Sequence, residues 1–219
     1  MKKVSIVTTM YHSAKYLPEF YARVRKAAEL SGVQYDFIFV NDGSPDNSLA
    51  VALKLRDEFP DVAVVELSRN FGHHKAIMAG LREAKGDLVF LIDCDLEEQP
   101  ELLTEFYTKM EETKGDVIFG VQNSRKGKWR ERIFGQVFYK VFNHFAERPI
   151  PENIIMARLM TRNYVEELIK YDEKEFFLGA TFMEVGFKQI PVSVDKKDKG
   201  SSTYSLSKKV ALMVNAITS

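Results

Sequence analysis

The sequence predicts an α/β fold: a mostly parallel sheet flanked by helices, in one domain. Three observations predict it. Short apolar runs alternate with segments of helical periodicity, the pattern of strands joined by crossover helices. The acidic and glycine-rich turns that stand out each follow a strand, on the carboxyl edge where open α/β sheets bind ligands. The length, 219 residues, suits a single core of this class.

Val4 to Thr8 reads as the first strand, and Pro18 opens a helix that runs to about Leu30, because proline is well placed in a first turn. Phe37 to Val40 is a second strand, apolar without interruption and so covered on both faces. Asn41-Asp42-Gly43-Ser44-Pro45 is a turn, followed by a helix to about Phe59 and a third strand from Val62 to Leu67. Ile77, Leu81 and Ala84 mark one face of a helix between Gly72 and Gly86. Leu88 to Ile92 is a fourth strand that runs directly into Asp93, and Pro100 starts a helix to about Glu112. Val117 to Val121 is the fifth strand. Arg125 to Arg132 is basic, and Ile133 to Phe145 carries a wide apolar helical stripe. Thr161 caps a short helix through Ile169, Phe187 to Val194 is a strand, and Ser205 to Ile217 is an amphipathic helix.

Composition narrows the function. Lys and Arg together number 31, as do Asp and Glu, so the chain lacks the positive excess of a general nucleic-acid binder. Hydrophobic residues make up 45% and charged residues 28%, which is globular. One cysteine allows no internal disulfide and points to a reducing compartment. The apolar start at Val4 is too short for a signal peptide, and no run reaches the ~18–20 apolar residues of a membrane span.

Three turns carry the candidate chemistry. Asp93 and Asp95, one residue apart at a strand exit, repel each other unless a cation lies between them, and a hard divalent ion is the natural one. The plain alternative is a capped turn with two solvated acids. Asp42 follows another strand, beside a glycine that lets backbone approach a ligand; the alternative is a turn in which Ser44 or Asp46 caps the next helix. Arg69 and Lys75 flank the start of a helix, where anions are favoured. His73 and His74 are adjacent and diverge on a helix, which makes them a poor metal pair.

In this order and spacing, Asn41-Asp42-Gly43-Ser44, Leu67-Ser68-Arg69-Asn70-Phe71-Gly72-His73, Asp93-Cys94-Asp95-Leu96 and Pro100-Glu101 resemble glycosyltransferase family 2. The likeness extends to Gly200-Ser201-Ser202-Thr203-Tyr204-Ser205-Leu206 and is strongest to the bacterial enzymes similar to dolichyl-phosphate mannose synthase, which load sugars onto polyprenyl phosphate. The resemblance implies a GT-A fold with a Rossmann-like sheet, an inverting transfer in cell-envelope glycan synthesis, and Mg²⁺ or Mn²⁺. It implies a nucleoside-diphosphate-sugar donor, UDP by default, contacted by Thr8, Tyr11, Asp42, Arg69, Lys75, Asp93, Arg125 and Lys126. Asp95, with Asp93, would hold the metal, and Arg158 matches the arginine of an Asp-Phe-Arg-Leu segment. Residues 1–205 would form the catalytic domain. Residues 206–219 would form an amphipathic helix leading towards a membrane region, with the catalytic domain in the cytoplasm on the inner or plasma membrane. An oligomer is compatible with this.

One departure matters. The aspartate of that segment is Met156 here. A lipid-phosphate acceptor is already anionic and needs no base, only positioning. A sugar hydroxyl of a growing polysaccharide or lipopolysaccharide needs one, and Glu97 and Glu98 are then the candidates. A third alternative is a non-catalytic nucleotide-sugar-binding module, which the intact acidic triplet disfavours. The basic run with Trp129 beside the phenylalanine stripe is either a buried amphipathic helix or one resting on an anionic membrane surface.

Overall fold

The computed structural model describes residues 1–122, 153–171 and 178–194. Along the chain they form β1 (Lys3–Met10), α1 (Leu17–Leu30), β2 (Gln34–Asn41), α2 (Ser48–Glu58), β3 (Val62–Glu66), α3 (His73–Glu83) and β4 (Leu88–Leu91). Then come α4 (Leu102–Thr113), β5 (Val117–Gln122), β6 (Ile154–Thr161), α5 (Arg162–Leu168), α6 (Leu178–Glu184) and β7 (Gln189–Val194). The seven strands make one sheet in the order β3-β2-β1-β4-β6-β5-β7. Every pairing is parallel except those of β6, which runs against both β4 and β5. The α/β expectation therefore holds, with one inserted antiparallel strand.

Strand alternation sorts the core into two layers. One face of the sheet buries Val4, Ile6, Phe37, Phe39, Phe90, Ile118 and Leu159 under α1, α2 and α4. The other buries Val7, Ile38, Val40, Val89, Leu91, Phe119 and Met160 under α3, α5 and α6. Aromatic rings fill the first layer: Phe37 stacks on Phe39 at 5.9 Å between centroids, Tyr21 meets Phe37 at 4.7 Å and Phe20 meets Phe39 at 6.2 Å. Burying each such side chain stabilises the fold by roughly 1.5–3 kcal/mol. In the second layer α3 lies close against the sheet because Gly80 has no side chain; a Cβ there would come within 2.6 Å of Val7 Cγ1 and 2.8 Å of Val40 Cγ2.

The predicted elements up to β5 are present, with Pro18 in the first turn of α1 and Gly72 as the N-cap of α3. Two elements were not anticipated. β6 contains Met156-Ala157-Arg158-Leu159, and α6 comes after α5. The helix expected to reach Gly86 stops at Glu83, and the final strand starts at Gln189 rather than Phe187. The basic run and apolar stripe from 125 to 145, with Arg125, Lys126 and Trp129, lie outside the described residues, as do the segments 200–206 and 206–219.

Candidate active site

The period of the strands decides which side chains meet. Val7 of β1 pairs with Leu91 of β4, and both point into the layer under α3. Two residues further on, on the same face, the strands release Thr9 and Asp93. His73, the first residue of α3, stands between them: its Nδ1 is 3.1 Å from Thr9 Oγ1 and its Nε2 is 3.5 Å from Asp93 Oδ1. One residue out of step, Thr8 and Cys94 turn inwards. Thr8 is only 1% exposed, and among the described residues its Oγ1 has no hydrogen-bond partner. The Thr8 side chain, expected to meet the nucleotide, thus faces the core, and of the two threonines it is Thr9 whose side chain meets His73. Cys94 Sγ donates to Thr9 O at 3.2 Å, and burial pushes its thiol up to about 12, so it is inert at neutral pH.

The β2 exit fixes the start of α3. Asp42 is buried, and its two carboxylate oxygens accept the backbone N–H of Phe71 at 2.7 Å and of Gly72 at 3.0 Å. Gly43, at φ +60°, sits so close to the next loop that a Cβ would fall 2.5 Å from Asn70 N. Asp42 thus ties the two loops together, besides any contact with a base. Among the described residues no side chain caps the N-terminus of α3, and a helix N-terminus favours anions. Lys75 is exposed in that first turn, and the Arg69 guanidinium lies 4.2 Å over the Phe71 ring.

The β1–α1 loop is sewn to the same turn. His12 N donates to Ser44 Oγ at 2.8 Å, Ser13 N to Ser48 Oγ at 2.9 Å and Ala14 N to Asp46 Oδ2 at 3.2 Å. Burial would raise the pKa of Asp46, but hydrogen bonds from Ser44, Ser48 and Ala14 outweigh it and hold the carboxyl well below the usual range. Tyr11, half exposed, presents its ring edge-on to His12 at 4.6 Å.

Past β4 the chain turns through Leu96 at φ 63°, and Glu97 N donates to Asp95 Oδ1 at 3.0 Å. Glu98 goes elsewhere. It is 2% exposed and accepts the N–H of Met156 at 2.9 Å and of Ala157 at 2.8 Å. These two amides belong to an irregularity in β6, where the register with β5 shifts between Phe119 and Val121. A carboxylate so engaged is a strand anchor, and this corrects its candidacy as a base; Glu97, only partly buried, keeps the exposure that role needs. Arg158 is buried, donates to the carbonyls of Met156 and Ile155 at 3.1 and 3.3 Å, and stacks 3.3 Å from the Phe182 ring centre. Burial pushes its pKa down to about 10, against the favourable fields of Tyr164, Glu98 and Asp93, so it stays charged at neutral pH.

Asp93 and Asp95 both keep partial exposure. Among the described residues no group of three or more His, Cys, Asp or Glu could cage a metal. That donor set does not suit a self-contained structural site. It does suit Mg²⁺ or Mn²⁺, which take one or two carboxylates and complete their shell with substrate phosphates and water.

A sequence model described as glycosyl transferase family 2 matches residues 5–169. The chain belongs to glycosyltransferase family 2. A Mycobacterium tuberculosis (strain CDC 1551 / Oshkosh) protein, described provisionally as a glycosyltransferase, is 46% identical over 99% of this chain and 64% of its own length. The Bacillus subtilis (strain 168) uncharacterized glycosyltransferase YkcC is 33% identical over 98% of this chain and 67% of its own. The chain thus spans about two thirds of the length of these relatives.

Solved structures share the fold at low identity. Mannosyl-3-phosphoglycerate synthase from Rubrobacter xylanophilus superposes with TM-score 0.64 at 17% identity, covering 99% of this chain and 73% of that one. The Pyrobaculum calidifontis mannosyltransferase PcManGT, in complex with GDP-Man and Mn²⁺, gives 0.63 at 16% identity, covering 91% and 58%. Glucosyl-3-phosphoglycerate synthase from Mycobacterium tuberculosis, in complex with UDP, gives 0.61 at 15% identity, covering 99% and 78%. The family 2 domain here therefore has the GT-A fold. Within it, Thr9 and His73 are the residues that motif reading passed over. Strand parity offered a signal for Thr9, since it shares a face with Asp93; nothing local in the sequence placed His73 between them.

Proposed function

We propose that this chain is the catalytic domain of a metal-dependent inverting sugar transferase that moves a glycosyl group from a nucleoside-diphosphate sugar, UDP by default, to the phosphate of a polyprenyl lipid. The observation that carries the reading is the approach of Asp93, two residues before Asp95 at the exit of β4, to His73 at the N-terminus of α3. Neighbours solved in complex with GDP-Man and Mn²⁺ and with UDP support a nucleotide-sugar donor and a divalent ion. Asp95, with Asp93, would hold Mg²⁺ or Mn²⁺, which supplies positive charge to a leaving diphosphate. The α3 N–H groups, Lys75 and Arg69 bind the diphosphate oxygens, Asp42 and Tyr11 bound the space for the nucleoside, and Arg125 and Lys126 add positive charge. An acceptor oxygen attacks the anomeric carbon as the bond to the diphosphate breaks, inverting the configuration.

Met156 supports the phosphate acceptor. Its side chain packs with the apolar layer under α3 and removes no proton, which an anionic phosphate does not require. Buried Arg158, kept cationic next to it, would favour such an anion. In this reading the protein works at the cytoplasmic face of the inner or plasma membrane; among the described residues no helix is long and apolar enough to cross it. The hydroxyl-acceptor reading has one observation in its favour, the partial exposure of Glu97 beside Asp95.

The test is a donor screen with Mn²⁺, measuring nucleoside diphosphate released with and without polyprenyl phosphate. Release should require the lipid phosphate, and Asp95→Ala should lower it by at least ~10²-fold. A wild-type enzyme that glycosylates a sugar hydroxyl and ignores polyprenyl phosphate overturns the acceptor; an active Asp95→Ala overturns the metal site.

A further inference from the structure

The chain Thr9–His73–Asp93 has a geometry that neither the acidic motif nor the fold requires. Its members come from three elements: the end of β1, the first turn of α3 and the exit of β4. His73 keeps 33% of its side chain exposed and Asp93 32%, so their packing contributes little to the core. What links them is a hydrogen bond between His73 and Thr9 and the approach of His73 Nε2 to the Asp93 carboxylate. A carboxylate only accepts hydrogen bonds, so the ring presents Nε2–H to Asp93, and Nδ1 faces the Thr9 hydroxyl, which serves as donor or acceptor. The 3.5 Å separation to Asp93 is at the outer limit of a hydrogen bond.

The ring stands on a rigid base. Gly80 lets α3 press against Val7 and Val40, so the helix cannot drift along the sheet without collision. Asp42 grips the N–H groups of Phe71 and Gly72, the two residues just before His73. Metal- and phosphate-binding carboxylates depend on such outer partners for orientation, at roughly 10–100-fold in affinity. Resting on the reading of Asp93 as a donor-site carboxylate, we infer that His73 is a positioning residue: it orients Asp93 through Nε2, with its own ring fixed by Thr9. Asp42 acts further back by fixing the end of α3. The β2 turn thus influences the β4 carboxylate through one imidazole. The assignment also gives the histidine of the Asn70-Phe71-Gly72-His73 segment a task that does not involve binding metal itself.

Three variants separate the ring's two contacts. Glutamine at 73 can place an N–H near the Nε2 position, asparagine can place one near Nδ1 only, and alanine places none. Calorimetric titration of UDP and of GDP, each with Mn²⁺, reads the effect without relying on turnover. His73→Ala and His73→Asn should weaken Mn²⁺-dependent nucleotide binding by roughly tenfold and raise the donor KM more than they lower kcat. His73→Gln should recover most of the loss, and thermal midpoints should stay within about 2 °C of wild type. Asp95→Asn serves as the control. If Asp95→Asn loses binding while His73→Ala binds as wild type, His73 positions nothing and the inference falls alone. If all three His73 variants lose binding equally and melt several degrees early, the role is structural and the inference falls. If Asp95→Asn binds as wild type, the donor-site reading beneath it falls as well.

Discussion

In the half of the sheet made of β3, β2, β1 and β4, all strands point the same way, so their exits gather polar residues on one edge. In the half made of β6, β5 and β7, the strand next to β4 runs backwards, and the edge that holds Asp93 receives the start of β6 instead of an exit. Carboxylates five residues apart feel this difference. Asp93 leaves a parallel strand and keeps a third of its surface; Glu98 reaches the antiparallel strand and is consumed by its backbone. Motif position alone does not make a carboxylate catalytic. What decides is whether neighbouring backbone amides still need an acceptor: those of Met156 and Ala157 do at the irregular antiparallel strand, and in the parallel half those of Phe71 and Gly72 claim Asp42 in the same way.

Glu98 offers the sharpest way to break that contrast. Glu98→Ala leaves the Met156 and Ala157 N–H groups without their acceptor, at a cost of about 3 kcal/mol, measured by urea unfolding. Glu98→Gln should keep one of the two bonds and cost less. Lost turnover with an unchanged unfolding midpoint would instead make Glu98 a catalytic group and erase the distinction.

The parallel half is tested at Gly43. Its positive φ and the 2.5 Å approach to Asn70 N mean that Gly43→Ala should destabilise by about 2 kcal/mol. Nucleotide binding should weaken with it, because the displaced loop carries the start of α3. A neutral Gly43→Ala would mean that the two loops are not clamped.

Asp46 gives the smallest effect and a pH signature. Its folded pKa is depressed, so its contribution is present above the unfolded value of about 3.9 and is lost as pH falls through the folded one. Asp46→Asn should cost about 1 kcal/mol at neutral pH, and the gap to wild type should close in acid. A gap that widens in acid would reverse the sign and refute the assignment.

Much of this was legible because parallel strands buried on both faces leave continuous apolar runs, such as Phe37 to Val40, and because their exits carry Asp42 and Asp93 at fixed places. β6 was not legible: its register shift breaks any clean alternation, and buried Arg158 interrupts the apolar run. α6 begins Leu178-Gly179 and is seven residues long, too short and too weak in propensity to declare itself. Glu98 read as one of a pair of candidate bases, since its amide partners lie 58 and 59 residues further along. His73 was set aside as a poor metal ligand; its contacts with Thr9 and Asp93 come from distant segments that only the folded sheet brings together.

The insertion of β6 also sets an order of assembly. The outer edge of β4 finds its partner only in residues 158–161, and β5 joins the sheet through that same strand. As the chain emerges from the ribosome, Leu88 to Leu91 must wait with an apolar edge unpaired until Thr161 has been made. At roughly 5–20 residues per second that wait lasts several seconds, and a bare strand edge invites pairing with another chain. The late strand that covers β4 therefore also closes the window in which that edge can pair with another chain.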